Sequence, residues 1–304
     1  MLVEGCMQIG MIGLGKMGLN LMMNLRDHGV DVMGYDVNPV MRQSAIESGL
    51  TVYDDLNEFT QAFDDRRIIW VMVPAGKITD SVIHQVSHLC QAGDIIIDGG
   101  NSFYQDSQKN SQQLKEMGIH FLDCGTSGGT SGARNGACLM VGGEEEAFNV
   151  LKDVLQAISV ENGCLYAGKS GSGHYLKMVH NGIEYGMMQA IGDGFEVLEA
   201  SEFDFDFEKV ARVWNNGSVI RSWLVELVQE SFKNDPKLEM ITGASDSSGE
   251  AQWTVEQALQ LKVPTPVISL SLMMRYRSKQ NDTFAGKVVS ALRNAFGGHS
   301  VTKK

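Results

Sequence analysis

The feature that most restricts this chain is Gly13-Leu14-Gly15-Lys16-Met17-Gly18, set between the apolar run Met7 to Ile12 and a helical pattern reaching about His28. A strand that turns straight into a helix through three such glycines has few uses. The first glycine permits a tight turn, the second lets a pyrophosphate approach the backbone, and the third lets helix and strand pack. Amides at the helix start then face the phosphates. On this reading Gly13, Leu14, Gly15, Lys16, Met17 and Gly18 hold a dinucleotide; a glycine-rich turn without ligand is the alternative.

A second strand, Val30 to Tyr35, ends at Asp36, 23 residues after Gly13. A carboxylate there accepts hydrogen bonds from the adenosine ribose and repels a 2′-phosphate, so NAD is favoured and NADP remains possible. Val37 and Asn38 adjoin the same corner, and Arg42 lies near enough in sequence to blunt the repulsion.

Strands and helices then alternate: a helix near Pro39 to Ser48, a strand Arg67 to Val73, a helix Ile78 to Cys90, and a strand Ile95 to Asp98. Such alternation marks a parallel sheet with helices on both faces. Val73, Pro74 and Ala75 follow one strand and Gly99-Gly100-Asn101-Ser102 another, at the carboxyl ends where ligands bind in doubly wound sheets. Asn101 is expected to contact both cofactor and substrate, or else to be a turn asparagine. Beyond the strand Ile119 to Asp123, the stretch Cys124 to Ala133 reads as a glycine-rich loop whose amides converge on a carboxylate. A strand Ala137 to Val141, a helix Glu144 to Ile158 and a strand Cys164 to Ala167 complete this part. Later segments read as helices: one of about 28 residues ending near Ala200, then Phe207 to Asn215, Ser218 to Asn234, Gln252 to Leu261, Ile268 to Arg277 and Phe284 to Phe296. The expected architecture is α/β: a Rossmann-type doubly wound sheet over residues 1–167, then an all-α substrate and dimerisation domain over 168–304.

The long helix carries a polar stripe. At about 100° per residue, Lys177, His180, Asn181, Glu184 and Tyr185 share one side, with Met178, Val179, Ile183 and Met187 on the other. A polar stripe is by default the solvated side of an amphipathic helix. Solvated stripes, however, consist mostly of Lys and Glu, whereas His, Asn and Tyr beside one Lys and one Glu make a directed hydrogen-bonding surface. A partly desolvated lysine can lose its proton near neutrality and act as a base, and a carboxyl two turns on can act as an acid.

Composition narrows the function classes. With 304 residues, 43% hydrophobic and 20% charged, the chain suits two soluble domains. No 18-residue apolar run exists, and Glu4 stands where a signal peptide would be basic, so a cytoplasmic protein off the membrane is expected. A net charge of −12 argues against nucleic acid. From Lys262 onward eight Lys and Arg face one acid, Asp282, which is either an anion-binding tail or a solvated one. Five widely spaced cysteines form neither a disulfide framework nor a metal-ligand pattern, and no metal is expected.

Two stretches carry a resemblance. Gly171-Ser172-Gly173-His174-Tyr175-Leu176-Lys177-Met178-Val179-His180-Asn181-Gly182-Ile183-Glu184-Tyr185 and Arg293-Asn294-Ala295-Phe296-Gly297-Gly298-His299 are similar to 6-phosphogluconate dehydrogenase, the decarboxylating enzyme of the oxidative pentose phosphate route, in its short form. The Ser127-Gly128-Gly129 stretch is shared with 3-hydroxyisobutyrate dehydrogenase, which also has a lysine matching Lys177 but lacks the His180, Asn181, Glu184, Tyr185 set. The resemblance implies Lys177 as general base and Glu184 as acid. It implies that Asn101, Ser127, Gly128, Gly129, His180 and Asn181 hold the carboxylate and hydroxyls of 6-phosphogluconate, and that Tyr185 and Arg275 meet its phosphate. It further implies a homodimer or higher assembly in which Arg293 and His299 complete the neighbouring subunit's site.

Two positions depart from the family pattern. Gln252, before Trp253-Thr254, stands where a phosphate-binding lysine is usual, and Asp36-Val37-Asn38 replaces the Asn-Arg-Thr that holds NADP in many members. A β-hydroxyacid dehydrogenase acting on an unphosphorylated substrate and a nucleotide-binding sensor without turnover are the rival readings, since a fold does not fix a function.

Overall fold

The computed structural model describes residues 7–302; Glu4, Cys6, Lys303 and Lys304 lie outside the described residues. The chain divides into two compact units, Met1–Asn181 and Gly182–Lys304.

The first unit is built on eight strands: β1 (Gln8–Ile12), β2 (Asp31–Tyr35), β3 (Thr51–Tyr53), β4 (Ile68–Val71), β5 (Ile95–Asp98), β6 (His120–Ser127), β7 (Ala137–Gly143) and β8 (Ser159–Gly168). Helices α1 (Lys16–Asp27), α2 (Pro39–Glu47), α3 (Leu56–Gln61), α4 (Lys77–Ser87), α5 (Tyr104–Glu116), α6 (Gly129–Asn135) and α7 (Glu145–Ala157) alternate with them. The strand order is β3-β2-β1-β4-β5-β6-β7-β8, so the topological switch lies between β1 and β4.

Wholly apolar strands need cover on both faces, and they receive it. Along β4 and β5 successive residues alternate between two clusters: Ile68, Trp70, Ile95 and Ile97 pack with α1 and α7 residues such as Leu21, Leu25 and Leu151. Ile69, Val71 and Ile96 pack with Phe59, Ile83, Val86 and Leu114 from α3, α4 and α5. The period of two along each strand thus becomes two helix layers.

Three features depart from the sequence reading. The pairing β6 with β7 is antiparallel, from Leu122 opposite Gly143 to Ser127 opposite Cys138, so the sheet is mostly rather than wholly parallel. The stretch Cys124–Ser127 is the end of β6 and not a loop, because its backbone is satisfied by β7; α6 begins at Gly129. The elements β3, α3 and α5 had no counterpart in the reading, and the helix expected from Ser218 to Asn234 starts at Trp223.

Helix α8 (Ser172–Glu199) runs from the first unit into the second, with the 28 residues expected. The rest of the second unit is α9 (Phe207–Asn215), α10 (Trp223–Asn234), α11 (Gly249–Leu261), α12 (Pro266–Ser278) and α13 (Phe284–Gly297). Phe195, Phe207 and Phe232 form its main core, with ring centroids 4.8–5.7 Å apart. Among the described residues no helix is long and apolar enough to cross a membrane.

Candidate active site

At the end of β1 each glycine of the fingerprint does a separate job. Gly13 has φ +95°, and a Cβ there would fall 2.3 Å from the Met72 carbonyl oxygen; a Cβ on Gly18 would fall 1.9 Å from the Gly13 oxygen. A Cβ on Gly15, by contrast, would meet nothing within 4 Å. The outer glycines are needed by the protein's own packing, and the middle one opens onto space at the uncapped start of α1. Leu14 is buried, Lys16 is exposed, and Met17 packs partly against the core.

Asp36 ties this loop to β2. Its Oδ2 accepts from the Leu14 amide at 2.7 Å and its Oδ1 from the Asn38 amide at 2.7 Å. Arg42 donates to the carbonyl oxygens of Asp36 (2.8 Å) and Val37 (3.1 Å), so it bonds the backbone of this corner instead of the carboxylate. The turns after β4 and β5 close against the same place. A Cβ on Gly13 would lie 2.9 Å from Val73 Cγ1, and one on Gly100 would lie 3.1 Å from the Val73 oxygen. Thr79 Oγ1 donates to the Pro74 oxygen, and Ala75 and Asn101 are exposed beside these turns. An open backbone cradle, a carboxylate at the ribose corner and two polar turns fit a dinucleotide at the switch point.

Further along the sheet, Lys177 is only 6% exposed. Its stem lies on β6 because residue 125 is glycine: a Cβ there would sit 2.5 Å from Lys177 Cβ. Ser127 Oγ lies 3.1 Å from His180 Nε2, and His180 Nδ1 lies 3.0 Å from Asn181 Oδ1. An amide oxygen only accepts, so in the neutral imidazole Nδ1 carries the hydrogen and Ser127 donates to Nε2. Hydroxyl, imidazole and amide together supply both donors and acceptors, the chemistry that a carboxylate flanked by hydroxyls requires. Gly128 and Gly129 follow at φ +109° and +60°, turning the chain from β6 into α6.

The stripe of α8 is therefore not its solvated side. Lys177, Asn181 and Tyr185 are buried, while Ile183 and Met187, assigned to the apolar side, are 53% and 43% exposed.

In the second unit Tyr185 packs under Arg275, whose guanidinium lies 4.1 Å from the ring centroid. The Ser248 amide donates to the Tyr185 hydroxyl at 3.2 Å, and Arg275 donates to the Asp246 carbonyl at 2.9 Å. Gln252 accepts from the Tyr276 hydroxyl and donates to Glu256. Glu184 is half-buried on α8. Arg293 belongs to α13, which buries none of its residues, and the His299 ring packs on Phe296 in the same tail. Among the described residues no hydrogen bond or ion pair joins Arg293 or His299 to Tyr185 or Arg275.

Sequence reasoning missed a buried polar layer behind Lys177. Asp123 Oδ1 accepts from the Gly171 amide at 2.7 Å and Oδ2 from the His174 amide at 2.9 Å, capping α8 from β6. His174 Nδ1 lies 2.7 Å from Ser107 Oγ. Asp98 Oδ1 accepts from the Gly100 amide at 3.1 Å, fixing the turn that carries Asn101. Burial pushes the Asp98 carboxyl up from the usual carboxylate range, and the nearby His174 offsets part of that. The available signal was an aspartate closing an otherwise apolar strand, present in both Ile95 to Asp98 and Phe121 to Asp123.

Residues 8–168 match the model of the NAD binding domain of 6-phosphogluconate dehydrogenase, and residues 173–304 match that of the 6-phosphogluconate dehydrogenase C-terminal domain. The chain belongs to the 6-phosphogluconate dehydrogenase family. It is an oxidoreductase of that family, with an NAD(P)-binding Rossmann domain followed by a helical one. It is 57% identical over 98% of its length to a Bacillus subtilis protein named "Putative 6-phosphogluconate dehydrogenase YqeC", all of which is covered. It is 39% identical, over 98% of this chain and 99% of the relative, to the NAD(+)-dependent decarboxylating 6-phosphogluconate dehydrogenase of Haloferax volcanii. Among solved structures, Plasmodium falciparum 6-phosphogluconate dehydrogenase superposes with a TM-score of 0.82 at 28% identity, covering 98% of this chain and 66% of that one. Salmonella typhimurium 3-hydroxyisobutyrate dehydrogenase, at 21% identity and TM-score 0.75, shares the fold. This 6-phosphogluconate dehydrogenase family chain also spans 61% of the length of the Bacillus subtilis NAD(+)-dependent enzyme.

Proposed function

We propose that the protein oxidises and decarboxylates 6-phosphogluconate to ribulose 5-phosphate and carbon dioxide, with NAD favoured over NADP. The observation that carries this reading is the hydrogen-bonded chain Ser127, His180, Asn181 beside a buried Lys177, donors and acceptors suited to a sugar acid rather than a simple hydroxy acid. The stacked Tyr185 and Arg275 supply a cation for the phosphate. Family membership and the Haloferax volcanii relative, named as NAD(+)-dependent and decarboxylating, support the same reading.

A nicotinamide dinucleotide would be held by residues 13–18, Asp36 to Asn38, Val73 to Ala75 and Asn101, and when bound would supply the hydride acceptor. Neutral Lys177 takes the proton from the 3-hydroxyl as C3 is oxidised, which leaves a ketone β to the carboxylate. Loss of carbon dioxide then sends its electron pair toward the ketone oxygen, which the now protonated Lys177 stabilises. Glu184 delivers a proton to C1 of the resulting enediol. Asn101, Ser127, Gly128, Gly129, His180 and Asn181 orient the sugar acid throughout.

In this scheme residues 1–167 form the cofactor domain of a cytoplasmic enzyme, and residues 168–304 form the substrate and dimerisation domain. Arg293 and His299 serve the partner's phosphate pocket, a role that agrees with a helix α13 that buries nothing in its own chain. Asp36 underlies the NAD preference, since its carboxylate opposes a 2′-phosphate even with Arg42 close by.

The test is spectrophotometric: 6-phosphogluconate and, separately, 3-hydroxyisobutyrate are offered with NAD and with NADP, and carbon dioxide is collected. Reduced nucleotide and carbon dioxide in equal amounts from 6-phosphogluconate are expected, faster with NAD. Turnover of 3-hydroxyisobutyrate alone would assign the unphosphorylated substrate class, which Gln252, already engaged by Tyr276 and Glu256, would then explain. No turnover of either would assign a sensor.

A further inference from the structure

Helix α1 carries one residue that its apolar setting does not account for. Asn24 is 1% exposed and lies among Leu21, Met22 and Leu25, all members of the first unit's larger core cluster. A buried amide is costly unless its hydrogens are bonded. Both are used: Asn24 Nδ2 donates to the Ala133 carbonyl oxygen at 3.1 Å and to the Ile158 carbonyl oxygen at 3.0 Å, 109 and 134 residues away. Two carbonyl acceptors also fix which way the amide points, since only its nitrogen can face them.

The need for this donor arises on α6. A helical Ala133 carbonyl would accept from the amide four residues on, but the Ala137 amide donates at 3.0 Å to the Ile158 oxygen as β7 begins. Asn24 supplies the missing hydrogen. Nearly one turn further along α1, Asp27 meets Arg134 at 2.6 Å, a second and solvent-facing tie between the same two helices. Their other ends carry the chemistry: α1 opens at Gly15 in the cradle, and α6 opens at the Gly128–Gly129 turn that leaves β6. With seven residues α6 is about 10 Å long, short enough to move as one rod. What holds Ala133 therefore also holds Gly128, whose carbonyl accepts from the Gly132 amide at 2.8 Å.

We propose that Asn24 is a positioning residue that locks α6 to α1, so that a dinucleotide settling on the Gly15 cradle also orders the Gly128–Gly129 turn, and cofactor and sugar acid bind cooperatively. This deepens the reading above and rests on it, since the cradle must take the dinucleotide and the turn the substrate. The physical cause is conformational entropy. Each ligand has to still the helix that it meets, the two helices move together, and the ligand that arrives second finds its helix already stilled. The coupling is reciprocal, so the substrate tightens the cofactor by the same factor. A leucine of like volume would seal the core equally well but would bond neither carbonyl, which separates this role from packing.

The test uses the full chain and has one arm without substrate. Hydrogen exchange read by mass spectrometry is compared with and without NADH. In wild type NADH slows exchange at residues 130–136 by about 5-fold or more, as well as at residues 13–18. In Asn24→Ala the slowing at 13–18 stays and that at 130–136 is lost. Ile158 keeps the Ala137 amide in this variant, so only the Ala133 carbonyl loses its donor. Asn24→Ser, whose hydroxyl turns back onto the Asn20 carbonyl, leaves a smaller void and gives the same result. In the second arm wild type binds 6-phosphogluconate about 5-fold or more tightly with NADH than without it. In both variants that ratio falls toward one while the NADH Kd stays within a few-fold of wild type. No slowing at 130–136 in wild type overturns the lock. So does a lower urea midpoint in the variants with both readouts intact, which leaves Asn24 as core packing. If wild type binds no 6-phosphogluconate while the slowing at 130–136 still depends on Asn24, the assigned substrate falls and the lock stands.

Discussion

Gly125 shows how a single missing methyl group places the side chain proposed as the base, Lys177. Any side chain at this position of β6 would lift Lys177 off the strand, so Gly125→Ala should lower kcat by about 10²-fold with the dinucleotide Kd unchanged, measured by single-turnover kinetics and NADH fluorescence. Lys177→Ala should remove the proposed base, with a loss of about 10²–10⁴-fold in kcat and cofactor affinity again retained. The cysteines follow burial in the same way. Burial beside Asp94 pushes the Cys90 thiol up to about 12, and burial also raises Cys124 well above its ordinary value. Among the described cysteines, a disulfide reagent at pH 8 with mass mapping should therefore label exposed Cys138 first, and Cys90 and Cys124 only on unfolding. Lys177, His180 and Asn181 were legible in the sequence because helical spacing lines them up. Asp123 was not, because its partners Gly171 and His174 are 48 and 51 residues away and nothing local links them.

At the scale of elements, α8 carries four glycines beyond its first turn that the sequence alone could not tell apart. A Cβ on Gly182 would press on Thr254 and Ile268 at 3.0 and 3.2 Å, and one on Gly186 on Val267 at 3.1 Å. Gly192 and Gly194 have nothing within 4 Å. Gly194→Ala should accordingly stabilise the protein by up to ~1 kcal/mol while Gly182→Ala destabilises it, read as opposite shifts of the urea midpoint. The start of α8 depends on β6 in turn. Asp123→Ala would strip two buried amides of their acceptor and should cost at least ~2 kcal/mol, seen as a lower midpoint at constant m value. Strongly apolar elements such as β4 and β5 were readable from pattern alone. Helix α5 was not, because its buried face is Ser107, Asn110 and Leu114, only one of which is apolar. The reversed direction of β7 was equally hidden, since a strand's composition is the same read in either sense.

Taken as one molecule, the chain leaves much apolar surface uncovered. Helix α13 exposes Phe284, Val289, Leu292 and Phe296, α12 exposes Val267 and Leu270, and α8 exposes Ile183 and Met187. Isolated exposed apolar residues are ordinary, but whole helix faces of them support the self-association proposed above. Arg293 sits on the most exposed of these helices, so mixing Lys177→Ala subunits with Arg293→Ala subunits should recover activity that neither homogeneous preparation has. Absence of any recovery would place both residues in the same subunit's site. The outward-facing Ile183 and Met187 have one more consequence, because they lie on the very helix that bears Lys177. If a second copy covers them, catalytic competence obeys mass action: diluting the enzyme to nanomolar levels should depress its specific activity before any unfolding is visible, and a crowd of inactive subunits should bring it back.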